Sequence, residues 1–135
     1  MQPTMFAIES LSAGDPARFT GDVRLGLVAG SSDETLHLYE VLFGSRARTH
    51  WHTHTGEQVL LCTQGRCIVQ IRGEAPIVLA ERTAFRVAPG VVHWHGAMEE
   101  ASAHLAANIA ASTAWLDAVE DADYDRALSS ARGAR

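Results

Sequence analysis

Lysine is absent from this sequence, and all eleven basic residues are arginine. No side-chain amine is available for a Schiff base or for a lysine general base. Cysteine is scarce: Cys62 and Cys67 are the only two, too few for a disulfide framework or a thiolate-rich metal site. Long apolar runs are missing as well, since no stretch reaches the roughly 18 residues that a membrane-crossing helix needs. The segment from Met1 to Ser12 has no basic start followed by an apolar core, so no signal peptide is expected and a cytoplasmic protein is. Positive charge is outweighed, with a formal net charge of −5. That balance speaks against nucleic acid and against an anionic membrane as partners, because both reward clustered positive charge.

What is present describes a folded domain. The 135 residues, 47% hydrophobic and 20% charged, suit one domain over 1–135 with a single core. From Thr35 onward, short β-favouring runs alternate with turn residues at the spacing of an all-β sandwich or barrel. The runs are Thr35–Phe43, Thr49–His54, Gln58–Thr63, Cys67–Arg72, Ala75–Leu79, Thr83–Val87, His93–His95 and His104–Ile109. Shorter apolar runs precede them at Met5–Ile8 and Val23–Leu25. Cys62 and Cys67 flank the turn Thr63-Gln64-Gly65-Arg66, so they are expected to face each other across a hairpin. We expect reduced thiols that air can oxidise to a hairpin disulfide. After Ser112-Thr113, a good helix N-cap, Trp115, Leu116, Val119, Tyr124 and Leu128 recur at helical spacing. This predicts an amphipathic helix over 113–128 packed outside a barrel of about 19–110.

Six of the seven histidines fall in three places: His50, His52 and His54, then His93 and His95, then His104. Strand residues two apart share a face, so each group is expected to point one way, with His104 beside Ala106 and Asn108. So many buried imidazoles would be costly unpaired and would repel one another if protonated. A shared divalent metal relieves both costs. Imidazole ligands suit Mn, Fe, Ni, Co or Zn, without selecting among them.

Gly44, then His52-Thr53-His54, three residues to Gln58 and six to Gly65 resembles the first cupin motif. Pro89-Gly90-Val91-Val92-His93 resembles the second. The resemblance implies an antiparallel jelly-roll barrel, usually a homodimer, with one metal held by His52, His54, Gln58 and His93. Glu57 is the residue type most cupins use, but only Gln58 keeps both spacings. Phe19-Thr20-Gly21-Asp22-Val23-Arg24, Arg48 to His54, His93-Trp94-His95-Gly96-Ala97, Ala103-His104-Leu105-Ala106 and Trp115 to Val119 are similar to bacterial single-cupin hydroxynitrile lyases. His50 stands where that branch usually has a small apolar residue. Glu81-Arg82-Thr83 replaces its usual Gly-Asp turn. Tyr39 and Val41 differ in bulk from their counterparts and should reshape the substrate cavity.

Three imidazoles and a carboxamide are neutral, so a bound divalent ion would keep its full charge and act as a Lewis acid toward a small oxygen-bearing substrate. His104 is then the leading general acid or base, with His50 and His95 as second candidates. Arg46 and Arg48 are candidates for reaching an anionic substrate at the mouth. Trp51 and Trp94 alternate out of phase with the ligands and should pack against the barrel wall or a dimer interface. The reading that follows from the resemblance is a hydroxynitrile-type lyase. Metal-assisted cyclisation or dehydration of a polyketide-like substrate is an alternative, favoured by the additional His50. A non-catalytic metal-binding sensor is another, weakened by the absence of a DNA-binding segment.

Overall fold

The computed structural model describes residues 11–30, 35–109 and 111–133. The N-terminal run Met5–Ile8 lies outside these residues. Among the described residues, thirteen strands and one helix follow in order: β1 Ser12–Ala13, β2 Phe19–Thr20, β3 Val23–Ala29, β4 Leu36–Phe43, β5 Arg48–Thr49, β6 His52–His54 and β7 Glu57–Gln64. Then come β8 Cys67–Ile71, β9 Ile77–Leu79, β10 Ala84–Val87, β11 His93–Ala97, β12 Ser102–Ile109, β13 Thr113–Trp115 and α1 Asp121–Gly133. The strands pair antiparallel into two sheets. One has the order β1-β3-β4-β12-β7-β10; the other runs β13-β6-β11-β5-β2, with β8 joining β11 and β9 joining β8.

Side-chain alternation explains which face looks inward. In β7, Gln58, Leu60 and Cys62 are buried while Glu57, Val59 and Leu61 are less so. In β12 the paired register sets His104 opposite Cys62, Ala106 opposite Leu60 and Asn108 opposite Gln58. The interior between the sheets therefore holds both an apolar cluster, around Leu60, Val69, Leu79 and Val87, and inward-facing polar side chains such as Gln58 and His104. Strand β11 is buried on both faces. Its Gly96 packs so closely on Ala47 and Arg48 that a Cβ there would meet the Arg48 Cα at 2.7 Å.

The expected run Thr49–His54 is not one strand. It breaks at His50 and Trp51 into β5 and β6, which pair with different residues of β11: Gly96 with Arg48, and His93 with His52. The interruption is a local bulge whose backbone is satisfied elsewhere. The His50 amide donates to the Arg18 carbonyl, and the Trp51 amide donates to the Asp117 carbonyl. Because a bulge shifts the alternation by one residue, Thr49 lines the interior and Arg48 turns to the other face.

The predicted helix over 113–128 is also corrected. Thr113–Trp115 forms β13, paired with β6 so that Thr113 lies opposite His54 and Trp115 opposite His52. Threonine and tryptophan both favour strands, and β6 offers an edge to pair with. The helix starts later, at Asp121, with acidic Asp121 and Asp123 in its first turn and Arg132 in its last, matching the helix dipole. Tyr124, Ala127, Leu128 and Ala131 form its buried stripe and pack on Ile68, Trp94, Met98 and Val119 outside the second sheet. Burying an aliphatic side chain such as Ile68 or Leu128 contributes about 1.5–3 kcal/mol. Trp51 joins the edge of this cluster, so both tryptophans pack on the outer wall.

Candidate metal centre

Four imidazoles converge inside the barrel, and His52, His54 and His95 among them line a cavity. His52 lies with its ring centroid 4.3 Å from His93, 4.9 Å from His54 and 5.2 Å from His95. His54 and His93 are 5.4 Å apart. His52, His93 and His95 each offer a nitrogen within 4.8 Å of the others. Gln58 completes the group from β7, its Oε1 being 3.0 Å from His93 Nε2.

The partners of the other ring nitrogens decide what these imidazoles can offer. His52 Nδ1 donates to the His50 carbonyl at 2.8 Å, and His93 Nδ1 donates to the Val91 carbonyl at 3.0 Å. A carbonyl only accepts, so each Nδ1 carries the hydrogen and leaves a lone pair on Nε2 in the neutral ring. His54 Nδ1 lies 2.8 Å from the Thr113 hydroxyl, while its buried Nε2 has no hydrogen-bond partner. His95 Nδ1 and His104 Nε2 are likewise buried and unpartnered.

Burial holds the cluster neutral. It pushes His93 down to about 4 and His104 to about 3. It also lowers His54, and it takes His52 and His95 well below the usual histidine range, helped in both by neighbouring imidazoles. Neutral rings with lone pairs turned inward fit a soft-to-borderline divalent cation. The Gln58 contact fits it too. Gln58 Nε2 donates to Asn108 Oδ1 at 2.8 Å, which leaves Oε1 facing the His93 Nε2 lone pair. Two acceptors so close repel unless a cation lies against both.

Above the cluster opens a cavity of about 370 Å³, lined on its polar side by Thr49, His52, His54, Gln58, His95, Asn108 and Thr113. Its apolar walls are Phe19, Leu25, Tyr39, Val41, Ala106 and Trp115, with Arg18 at the rim. Tyr39, Val41, Ala106 and Asn108 thus stand where the strand pattern expects them. Trp115 lies 4.7 Å from the His52 ring and 5.7 Å from Phe19. Sequence reasoning missed Trp115, Thr113, Thr49 and Arg18. The alternation Thr113-Ala114-Trp115 is the signal that would have found the first two.

Other expected residues stand elsewhere. His50 is partly buried beside the 15–18 turn, where Ala17, Arg48 and Asp15 are its electrostatic neighbours, and it does not line the cavity. Glu57 faces out to Arg86. Arg48, 2% exposed, lies on the outer face: its guanidinium donates to the Val119 carbonyl at 2.7 Å and pairs with Asp121 at 2.7 Å. Arg46 pairs with Asp125 at 2.8 Å, and both guanidinium groups lie over the Tyr124 ring. Neither arginine is at the mouth; together they fasten α1 to the barrel. His104 sits behind His95 at a ring distance of 4.8 Å and against Phe43 at 4.7 Å. It faces inward, away from the cavity lining.

The Cupin domain family model matches residues 38–109. An (R)-mandelonitrile lyase from Granulicella tundricola is 35% identical, over 80% of this chain and 86% of its own length. A cupin-like protein from Thermotoga maritima superposes with a TM-score of 0.84 at 31% identity, covering 90% of this chain and 96% of that one. An acetylacetone dioxygenase from Acinetobacter johnsonii shares the fold alone, with a TM-score of 0.70 at 12% identity over 95% of this chain and 91% of its own. Motif spacing, barrel architecture and a family match over more than half of the sequence agree: the chain belongs to the cupin family.

Proposed function

We propose that this protein is a metal-dependent lyase that breaks a carbon–carbon bond beside a substrate oxygen, of the kind that releases cyanide from a hydroxynitrile. The observation that carries this reading is the set of hydrogen-bond partners around His52, His54 and His93. Their Nδ1 atoms are engaged by the His50 carbonyl, the Thr113 hydroxyl and the Val91 carbonyl. Three Nε2 atoms and the Gln58 Oε1 remain for one cation; the two carbonyls fix tautomer and orientation at His52 and His93, and the Thr113 hydroxyl orients His54. A divalent cation in that set, of Mn, Fe, Co, Ni or Zn, supplies Lewis acidity toward a hydroxyl or carbonyl oxygen.

The side chains of this chain do the rest. Phe19 and Trp115 on one wall, and Leu25, Tyr39 and Val41 on the other, hold the apolar body of a small substrate and keep water away. His95 lines the same cavity with its Nδ1 unpartnered. It takes the substrate hydroxyl proton as the carbon–carbon bond opens and returns it to the departing cyanide. His104, packed behind His95, holds that ring in place. With His50 outside the cavity, the feature that favoured a cyclisation falls away. The lyase named among the relatives supports the choice.

The test is direct. Protein loaded with each metal in turn should release benzaldehyde and cyanide from mandelonitrile, losing the activity on chelation and regaining it on reloading. Metal-loaded protein that releases no more cyanide than the metal-free form overturns the lyase reading.

A further inference from the structure

The charge of the cavity says something about what enters it. Among its lining residues there is no aspartate or glutamate, and the one formally charged side chain is Arg18. This holds in a chain whose net charge is −5. The two arginines the sequence offered for the mouth are occupied on the outer face, Arg46 by Asp125 and Arg48 by Asp121. Arg18 forms no ion pair with any described carboxylate. Its guanidinium lies over Trp115, 5.6 Å from the ring centroid, and the same indole lies 4.7 Å from His52.

One ring thus separates the guanidinium from the imidazole cluster. Stacking on Trp115 keeps the planar fork of Arg18 from ranging freely, so less ordering is needed when it meets a ligand. The Asp15 carboxylate of the same turn accepts the Ala17 amide and makes no ion pair with Arg18. A guanidinium with no ion-pair partner among the described carboxylates, set one indole from a site of neutral ligands, matches a carboxylate by paired hydrogen bonds.

We propose that the cavity selects small organic carboxylates that also carry a hydroxyl or carbonyl oxygen, with Arg18 holding the carboxylate at the rim. The oxygen then faces the His52, His54, His93 and Gln58 cluster, and an aryl or branched body lies along Phe19 and Trp115. This rests on the metal-site part of the proposed function and names the class of its natural substrate. It makes a neutral hydroxynitrile a surrogate that leaves Arg18 unused.

Calorimetric titration of the metal-loaded protein with mandelate and with mandelamide, equal in shape and different in charge, tests this. Mandelate should bind the wild type about tenfold tighter, the scale of one hydrogen bond to a charged group. Arg18→Gln should erase most of that preference while keeping its metal content and its affinity for mandelamide. Arg18→Lys should restore part of it, having the charge without the fork. Two results overturn the proposal: no preference in the wild type, or a preference that survives in Arg18→Gln because the carboxylate sits on the ion. Cyanide release is a separate readout. Its failure leaves a carboxylate preference standing, and a missing preference leaves the lyase reading standing.

Discussion

His93 and Gln58 meet across the barrel interior as acceptor against acceptor, Nε2 to Oε1 at 3.0 Å, because the N–H of each is directed to another partner. The Val91 carbonyl accepts the His93 Nδ1–H, and Asn108 Oδ1 accepts an N–H of the Gln58 amide. Turning both amides over would point an N–H at His93 instead. The orientation of Gln58 therefore separates a metal-loaded site from a metal-free one.

The ligand set follows from the same bookkeeping of protons. Alanine at His52, His54 or His93 should each abolish stoichiometric metal in the purified protein, whereas His95→Ala should retain it. Thr113→Val, which removes the oxygen facing His54 Nδ1 at 2.8 Å, should weaken metal binding by about 10–100-fold. Elemental analysis and competition with a chelator measure both. A His95→Ala protein that purifies without metal would instead favour the set His52, His93 and His95.

His95→Ala should also lower cyanide release by about 10²–10⁴, the usual range for a positioned acid–base group. His104→Ala should cost less, since His104 does not line the cavity. Single-turnover rates on metal-loaded variants check this, and a larger loss at His104 would move the proton-transfer role there.

The metal-free protein should be sensitive to acid. Histidine in an unfolded chain titrates near 6.5, while in the fold His93 is held to about 4 and His104 to about 3. Between those values the unfolded chain binds more protons than the folded one. Stability is therefore full above about pH 6.5 and falls progressively as pH drops toward 4 and then 3. Urea midpoints of chelator-treated protein at about pH 7.5 and about pH 5 measure it. Equal midpoints would count against neutral buried imidazoles.

Cys62 and Cys67 bring their sulfurs to 3.2 Å inside the barrel, and both are buried. Burial also pushes the Cys67 thiol up, so little thiolate forms at neutral pH. Folded protein should react with a thiol reagent far more slowly than denatured protein, which should titrate two thiols when fresh. Aged protein that titrates fewer after denaturation would mark the hairpin disulfide that proximity permits.

The outer face of the first sheet carries Leu38, Leu42, Leu105, Val59 and Leu61 with no helix over it among the described residues, and exposed Leu36 and Ile109 are register partners there. We propose that this face joins two copies of the chain, as uncovered apolar sheets seek cover. Light scattering should return about twice 14.6 kDa, and Leu105→Arg should return the monomer. A wild-type monomer at micromolar concentration would refute it.

Much of the site was legible because two-residue spacing is a strong signal within an unbroken strand. His52 with His54, His93 with His95, and Gln58 with Leu60 and Cys62 all behave so. Legibility failed at His50-Trp51, where two residues leave the ladder to bond with Arg18 and Asp117. That single slip displaced His50 and Arg48 together and brought in Thr49. The start of the helix was misread for a related reason. Thr113 and Trp115 suit a helix N-terminus and its first turn as well as a strand, and only the open edge of β6 decides between them.

The walls of the cavity come from three parts of the chain, and two of them lie outside the stretch that defines the family. Residues 38–109 carry the imidazoles, but Arg18, Phe19 and Leu25 precede that stretch, and Thr113 and Trp115 follow it. Two cupins can thus share a cluster like this one and still accept different molecules. Exchanging the 18–25 and 113–115 segments between such proteins would be a compact way to transplant substrate choice while leaving the cation cage untouched.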